Sequence, residues 1–118
     1  MTSDEKAKII AKAMDDKKAK DIIILDVSEQ TSIAERFVLC SYTSGTQVKA
    51  CADNTEEAVT SNGEDLHHME GYAGGSWVLL DFGCVVAHVF TEDAREFYNL
   101  ERLWSDSEEV SLSSLIGP

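Results

Sequence analysis

Short apolar runs alternate along the chain with segments whose apolar residues recur at helical spacing. This alternation predicts a mixed α/β fold, with helices packed on a sheet. The first helix is expected to begin at Thr2, because Thr2 and Glu5 match the capping-box pattern. Its core-facing positions are predicted to be Ala7, Ile10, Ala11 and Met14.

Two apolar runs after this helix have strand character. Residues 22–27 are rich in isoleucine and lie between aspartates, which predicts a strand covered on both faces near the centre of the sheet. Residues 37–40 predict a second strand beside the first. Between the two runs, Ser32 and Glu35 form a second capping-box pattern, so one helical turn is expected at residues 31–35.

A second long helix is predicted to begin after Ser44 and to stop at Asn62 and Gly63, which tolerate the left-handed conformation of a helix end. Residues 66–70 predict the next strand. A strand, a helix and a strand in succession favour a crossover between parallel strands.

The next two runs predict a hairpin, because only four residues separate residues 77–80 from residues 85–90. Thr91 is expected to cap a last helix. We therefore predict one domain over residues 1–105 and an acidic, frayed tail over residues 106–118.

The chain has a net charge of −12, which is distributed unevenly. Residues 1–20 carry six lysines against four acidic residues, a net +2, so residues 21–118 carry four basic against eighteen acidic residues, a net −14. Such a surface repels nucleic-acid phosphates and attracts basic partners. We expect no direct binding to nucleic acid, and a basic protein as the partner.

The three cysteines form no CxxC pair, which is typical of free thiols in a reducing compartment. The first residues show neither a signal-peptide core nor a transit-peptide composition, and no apolar run approaches the roughly 20 residues of a membrane span. We predict a cytoplasmic protein with no membrane segment.

Metal binding and catalysis are weakly supported. Successive strand residues point to opposite faces, so His67 and His68 cannot share one zinc ion with Glu70 or a cysteine. His88 lies in an apolar strand and is expected to be a hydrogen-bonded core histidine. No cysteine has a base or a positive neighbour that the sequence specifies. We predict no catalytic residue, no metal and no cofactor.

One enzymatic alternative is left open. Residues 41–46 join a strand to a helix and are rich in hydroxyl groups, so their backbone amides could hold a phosphate. The loop lacks the lysine of a P-loop, and helix capping explains its serine and threonine equally well. A nucleotide-binding enzyme is therefore the alternative function.

Trp77 begins a strand directly after a glycine-rich turn, and with Tyr72 and Phe82 it could form an aromatic anchor for a partner. Ordinary core packing is the competing interpretation. Strand alternation places Trp77 and Leu79 on one face of the sheet. Only one face of this strand needs to belong to the core.

Several stretches together resemble the ribosomal silencing factors, also called Iojap or RsfS proteins. The resemblance covers about residues 4–105 in unbroken order. The strand that begins at Trp77 is combined with a closing Tyr-x-Leu-Glu-x-Leu-Trp, and this combination is specific to the family. The matching stretches are residues 21–27, 32–41, 48–54, 70–72, 77–83, 86–90 and 95–104.

This resemblance implies a mixed sheet of about five strands flanked by helices, with a topology related to nucleotidyltransferases but without their catalytic carboxylates. It also implies a function. Family members bind the large ribosomal subunit through its fourteenth protein, at the face where the small subunit docks. They thereby block subunit joining and repress translation when nutrients are short. A homodimer of the free protein is a further possibility, because an apolar sheet face can close a symmetric pair.

The contact surface that the resemblance implies comprises Trp77, Leu79, Asp81 and Phe82, with Glu70, Tyr72 and Ser44 as neighbours. Trp77 would be the apolar anchor, and Asp81 with Glu70 would be the charge partners. The sequence departs from the family pattern at Cys84, where an aspartate is usual, and at Tyr42, where a glycine is usual. These changes affect the hairpin turn and the loop before Ser44.

Overall fold

The computed structural model describes residues 1–110, in which helices and strands form one mixed sheet with helices on both faces. The predicted mixed fold is confirmed. The helices are α1 (Ser3–Asp16), α2 (Gly45–Thr60), α3 (Glu92–Tyr98) and α4 (Leu100–Leu103). The strands are β1 (Lys20–Asp26), β2 (Arg36–Tyr42), β3 (His68–Glu70), β4 (Trp77–Asp81), β5 (Val85–Thr91) and β6 (Glu108–Val110).

The sheet has six strands in the order β3-β4-β5-β2-β1-β6. The β2–β5 pair is parallel, and the other pairs are antiparallel. The predicted hairpin of β4 and β5 is therefore confirmed. The helix α2 connects β2 to β3. These two strands run in the same direction, but β5 and β4 lie between them in the sheet.

The sixth strand lies in the segment that the sequence predicts to be frayed. Glu108–Val110 pair with Ile24–Asp26 of β1, and the Val110 side chain packs against the core. These three residues are thus part of the sheet. The predicted tail also includes residues 111–118, which lie outside the described residues, and the domain boundary at residue 105 stays a prediction.

The predicted central position of β1 is wrong. The strand lies next to the edge, where only the three-residue β6 covers it, and β5 and β2 occupy the centre. Its pairing with β2 is irregular between Lys20 and Ile23, and Asp21 has a positive φ of 51°. The isoleucine run is therefore only partly covered at its beginning, because the strand bends there.

The helical turn predicted at residues 31–35 is also absent. The carboxylate of Glu35 accepts a hydrogen bond from Ser3 Oγ in α1 at 3.1 Å, so it does not cap Ser32. The backbone N–H of Glu35 donates to the Cys84 carbonyl at 2.7 Å instead of entering a helix. Tertiary contacts therefore replace the local capping box.

The two long helices, α1 and α2, cover one face of the sheet. Thr2 and Glu5 form the predicted capping box of α1, and the predicted core positions Ala7, Ile10, Ala11 and Met14 are buried. Ser44 caps α2, whose buried residues pack in the same core. No helix within residues 1–110 has the length and hydropathy of a membrane span.

The opposite face is covered only in part by the short helices α3 and α4. Thr91 caps α3 as predicted, accepting a hydrogen bond from Ala94 N at 3.3 Å. Asn99 then takes the left-handed conformation, with a φ of 46°, and separates α3 from α4. This short, bent cover leaves part of the sheet face accessible beside β4.

Candidate binding surface

Trp77 lies at the start of β4, on the sheet face that α3 and α4 cover in part. Its side chain is half-buried and packs with Leu79 in the smaller core cluster, whereas Val78 and Leu80 are fully buried in the core beneath α1 and α2. The predicted alternation along β4 is therefore confirmed. Trp77 and Leu79 share the less covered face.

Aromatic rings surround Trp77 on this face. Its indole stacks on Phe90 at a centroid distance of 5.0 Å and lies 4.9 Å from the ring of Tyr98. Further across the sheet, His88 contacts Phe37, and Phe37 contacts Trp104 edge to face. We call these six residues, Phe37, Trp77, His88, Phe90, Tyr98 and Trp104, the aromatic cluster.

His88 is a buried, hydrogen-bonded histidine, as its apolar strand predicts. Its Nδ1 accepts a hydrogen bond from the indole Nε1–H of Trp77 at 3.1 Å. Removal from water lowers the pKa of His88 to about 3, so the ring is neutral at pH 7. Since Nδ1 is the acceptor, Nε2 carries the proton, and Nε2 has no hydrogen-bond partner among residues 1–110.

The two predicted charge partners have different environments. Glu70 is exposed in β3, opposite Leu79, and its carboxylate bonds to the His68 ring at 2.8 Å. Asp81 is half-buried at the end of β4, where its carboxylate accepts a hydrogen bond from the Gly83 backbone N–H at 2.8 Å. Asp81 therefore has a structural role in the hairpin turn, and Glu70 is the more accessible carboxylate.

Phe82 does not belong to the exposed surface, contrary to the partner contact that the resemblance implies. Its side chain is 0% exposed and packs in the core beneath α1 and α2. Residue 82 continues the row of Val78 and Leu80, which strand alternation directs to that core. The Phe82 carbonyl accepts a hydrogen bond from the buried Lys6 ammonium at 2.7 Å, so this residue anchors the hairpin to α1.

Ser44 and Tyr72 are exposed, but both are connected to α2. Ser44 Oγ accepts a hydrogen bond from Gln47 N, and the Tyr72 hydroxyl donates to the Asp53 carboxylate at 3.0 Å. The structure thus brings Trp77, Leu79, Glu70 and Asp81 together along β3 and β4. It associates Ser44 and Tyr72 with the helix on the other face.

A tight glycine contact fixes the loop before Trp77. Gly71 has a positive φ of 79°, and a Cβ atom there would collide with the backbone carbonyl oxygen of Trp77. Any side chain at position 71 would have to displace the first residue of β4. Gly71 therefore sets the position of the Trp77 backbone.

Sequence reasoning missed the exposure of three large side chains, namely Tyr98 of the aromatic cluster and the nearby Phe97 and Leu103. Phe97 is 80% exposed, Leu103 is 75% exposed and Tyr98 is 48% exposed. They border an open groove of about 630 Å³ around the bend at Asn99. The adjacent Phe97 and Tyr98 were a signal, because successive residues of a helix point about 100° apart and a short helix cannot bury both.

The structure also shows where the candidate metal, cysteine and phosphate-loop groups lie. Residues 1–110 contain no group of three or more metal-ligating side chains. Cys40 and Cys51 are fully buried. In the candidate phosphate loop, the hydroxyls of Thr43 and Ser44 donate to Gln47 Oε1. Ser44 Oγ also accepts a hydrogen bond from the Gln47 backbone N–H, so Ser44 is the N-cap of α2.

Comparisons with known proteins agree on one family. The family model described as "Ribosomal silencing factor during starvation" matches residues 1–117. The protein named "Ribosomal silencing factor RsfS" from Bacillus subtilis is 44% identical over 105 residues, which cover 89% of this chain and 89% of that protein. Its namesake from Halalkalibacterium halodurans is 38% identical over 116 residues, which cover 98% and 99% of the two chains.

A solved structure has the same fold. The crystal structure of a Chromobacterium violaceum protein superposes with a TM-score of 0.88 at 38% sequence identity, covering 94% of this chain and 92% of the other. Similarity in sequence and in backbone therefore extends over nearly the whole chain.

Proposed function

The chain belongs to the ribosomal silencing factor family, and we propose that it binds the large ribosomal subunit and blocks joining of the small subunit. The proposed contact on the ribosome is the fourteenth protein of the large subunit, at the intersubunit face. Binding there represses translation by steric exclusion when nutrients are limited. The mechanism requires no catalytic residue and no cofactor, and it acts in the cytoplasm.

The observation that carries this proposal is the partly exposed indole of Trp77 on an incompletely covered sheet face. Its only polar side-chain atom already donates to His88, so the ring offers a partner mainly carbon surface. Phe97, Tyr98 and Leu103 extend this apolar surface beside it. Large aromatics with adjacent apolar groups are typical of interface hot spots.

Charge supports a basic partner. The helices of both faces carry net negative charge, since α1 has three lysines against four acidic residues and α3 has one arginine against three acidic residues. Of the four basic residues after position 20, Arg36 pairs with Asp4 and Asp26, and Arg95 pairs with Glu101. The net charge of −14 over residues 21–118 therefore favours a basic ribosomal protein as the partner.

The proposed contact set changes from the one that the sequence implies. Trp77 and Leu79 form its apolar centre, and Glu70 and Asp81 contribute charge at the edge strand. Phe82 is removed because it has no exposed surface. Ser44 and Tyr72 are kept as peripheral contacts, since both side chains are exposed near the loop that leads to Trp77.

The test is cosedimentation with isolated large subunits, followed by a subunit-joining assay on the same sample. We expect the wild-type protein to sediment with large subunits and to reduce joining. Substitution of Trp77→Ala should weaken binding by about 2 kcal/mol or more, because it removes the apolar anchor of the interface.

Lys12→Ala is the matched control, because Lys12 is exposed on α1, which packs on the other face. This variant should bind like the wild type, apart from a small electrostatic effect. If Trp77→Ala remains folded by circular dichroism and still binds equally well, the assigned surface is wrong. Saturable binding of ATP and magnesium in calorimetry would instead support the nucleotide-binding alternative.

The homodimer fits the same surface. Phe97 and Leu103 are exposed enough to pair with a second copy, and such a pair would cover the surface proposed for the ribosome. Light scattering with and without large subunits would show whether a free dimer dissociates on binding.

A further inference from the structure

The contacts of the Trp77 ring fix the plane of the indole but not which edge of the ring faces outward. Phe90 stacks on the indole with an interplanar angle of 26°, and Tyr98 packs against it at 4.9 Å. Stacking contacts depend mainly on the ring plane, and the torsion that turns the ring is broad and roughly two-fold. Phe90 and Tyr98 alone would therefore tolerate an indole turned with its N–H outward.

The hydrogen bond to His88 selects one of these orientations. The indole N–H can only donate, and the neutral imidazole accepts at Nδ1, at 3.1 Å. This bond directs the single polar atom of the Trp77 side chain toward the interior. The carbon edge of the ring then faces outward.

Fold stability does not explain a histidine at position 88. Its Nε2–H is buried and has no acceptor among residues 1–110, which costs free energy that an apolar residue of similar size would avoid. In the sheet, His88 lies opposite Leu79 in β4 and Leu39 in β2, where another apolar side chain would be ordinary. An apolar side chain at this position would not, however, supply the Nδ1 acceptor for the indole N–H of Trp77.

We propose that His88 is a positioning residue of the binding surface, which holds Trp77 with its carbon edge toward the partner. This inference rests on the proposed function, because it assigns a role to His88 in that same surface. His88 itself is 3% exposed and acts through Trp77 without touching the partner.

Two substitutions at position 88 separate positioning from packing. His88→Leu keeps a similar apolar volume and removes the acceptor. His88→Asn keeps an acceptor, because its side-chain oxygen lies near the place of Nδ1. We expect His88→Leu to weaken binding to large subunits by about threefold to tenfold, the effect of one net hydrogen bond, and His88→Asn to restore most of the loss.

A double-mutant comparison tests whether the effect passes through the indole. Trp77→Phe keeps an aromatic ring and removes the N–H donor. In this background, His88→Leu should cause no further loss of binding. A further loss of binding of the same size as in the wild-type background would show that His88 does not act through the indole. That result would contradict the inference.

A second readout does not depend on the ribosome. The indole N–H of Trp77 gives its own NMR signal, which Trp77→Phe identifies by its disappearance. Its hydrogen exchange should be slow in the wild type and in His88→Asn, and fast in His88→Leu. Fast exchange in the wild type would overturn the inference even if His88→Leu failed to fold.

The two hypotheses fail in different ways. If the wild-type protein does not bind large subunits, both the proposed function and the positioning role of His88 are wrong. If the wild type binds and folded His88→Leu binds equally well, only the positioning role fails.

Discussion

The buried imidazole of His88 makes the stability of the fold depend on pH. Burial lowers its pKa to about 3 in the folded state, whereas an unfolded chain has the usual histidine value of 6.5. Between these values the unfolded state binds a proton that the folded state does not, so the free energy of unfolding falls as the pH decreases. Between about pH 7 and pH 5 the loss should be about 2 kcal/mol.

Urea denaturation of the wild type and of His88→Leu at both pH values measures this effect. The variant lacks the titrating ring, so it should lose less stability over the same interval. The exposed His67 and His68 are present in both proteins and cancel in the comparison. Equal losses in the two proteins would mean that the buried ring does not titrate in this way.

At the scale of single residues, the sequence predicted part of the surface. Alternation along β4 correctly placed Trp77 and Leu79 on one face, because the two-residue period of a strand is a local property. The same period directs Phe82 inward, so its assignment by family position alone was wrong. The exposure of Leu103 depends on the bend at Asn99, which a helical pattern does not reveal, whereas the adjacent Phe97 and Tyr98 did carry a local signal.

At the scale of secondary-structure elements, β6 can be used to test where the folded domain ends. It covers the outer edge of β1, and Val110 packs against the core. A chain that ends at residue 105 should therefore be less stable than one that ends at residue 110, by about 1–2 kcal/mol, from one partly buried valine and a few backbone hydrogen bonds.

Because both truncated chains lack residues 111–118, their difference in thermal or urea unfolding reports residues 106–110 alone. Equal stability would mean that the domain ends at residue 105, as the sequence predicts. A lower stability of the shorter chain would move the boundary to β6.

Elements with local signals were predictable. The capping box of α1, the caps of α2 and α3 and the β4–β5 hairpin all follow from contacts close in sequence. The order of strands was not, because it depends on contacts between distant segments. The failed helical turn at residues 31–35 has the same cause, since Glu35 bonds to Ser3 and to the Cys84 carbonyl.

At the scale of the molecule, negative charge is found on both faces of the sheet. On one face, α1 carries three lysines against four acidic residues, and on the side of Trp77, α3 carries one arginine against three acidic residues. Association with a basic partner should therefore slow as salt rises, because screening shortens the range of attraction. Dissociation should change less, since the apolar contacts of Trp77 are insensitive to salt.

Stopped-flow mixing with large subunits can test this expectation. At constant magnesium, raising monovalent salt from about 50 to about 300 mM should lower the association rate constant several-fold, because the screening length shrinks below about 10 Å. An association rate independent of salt would show that charge does not guide the encounter.

The contact between Gly71 and the Trp77 carbonyl also limits how this protein can diverge. Position 71 has no room for a Cβ atom, and its backbone conformation disfavours every other residue. A substitution at this site therefore requires a rearranged start of β4. A lineage that has lost this glycine should show a displaced backbone at the position of Trp77.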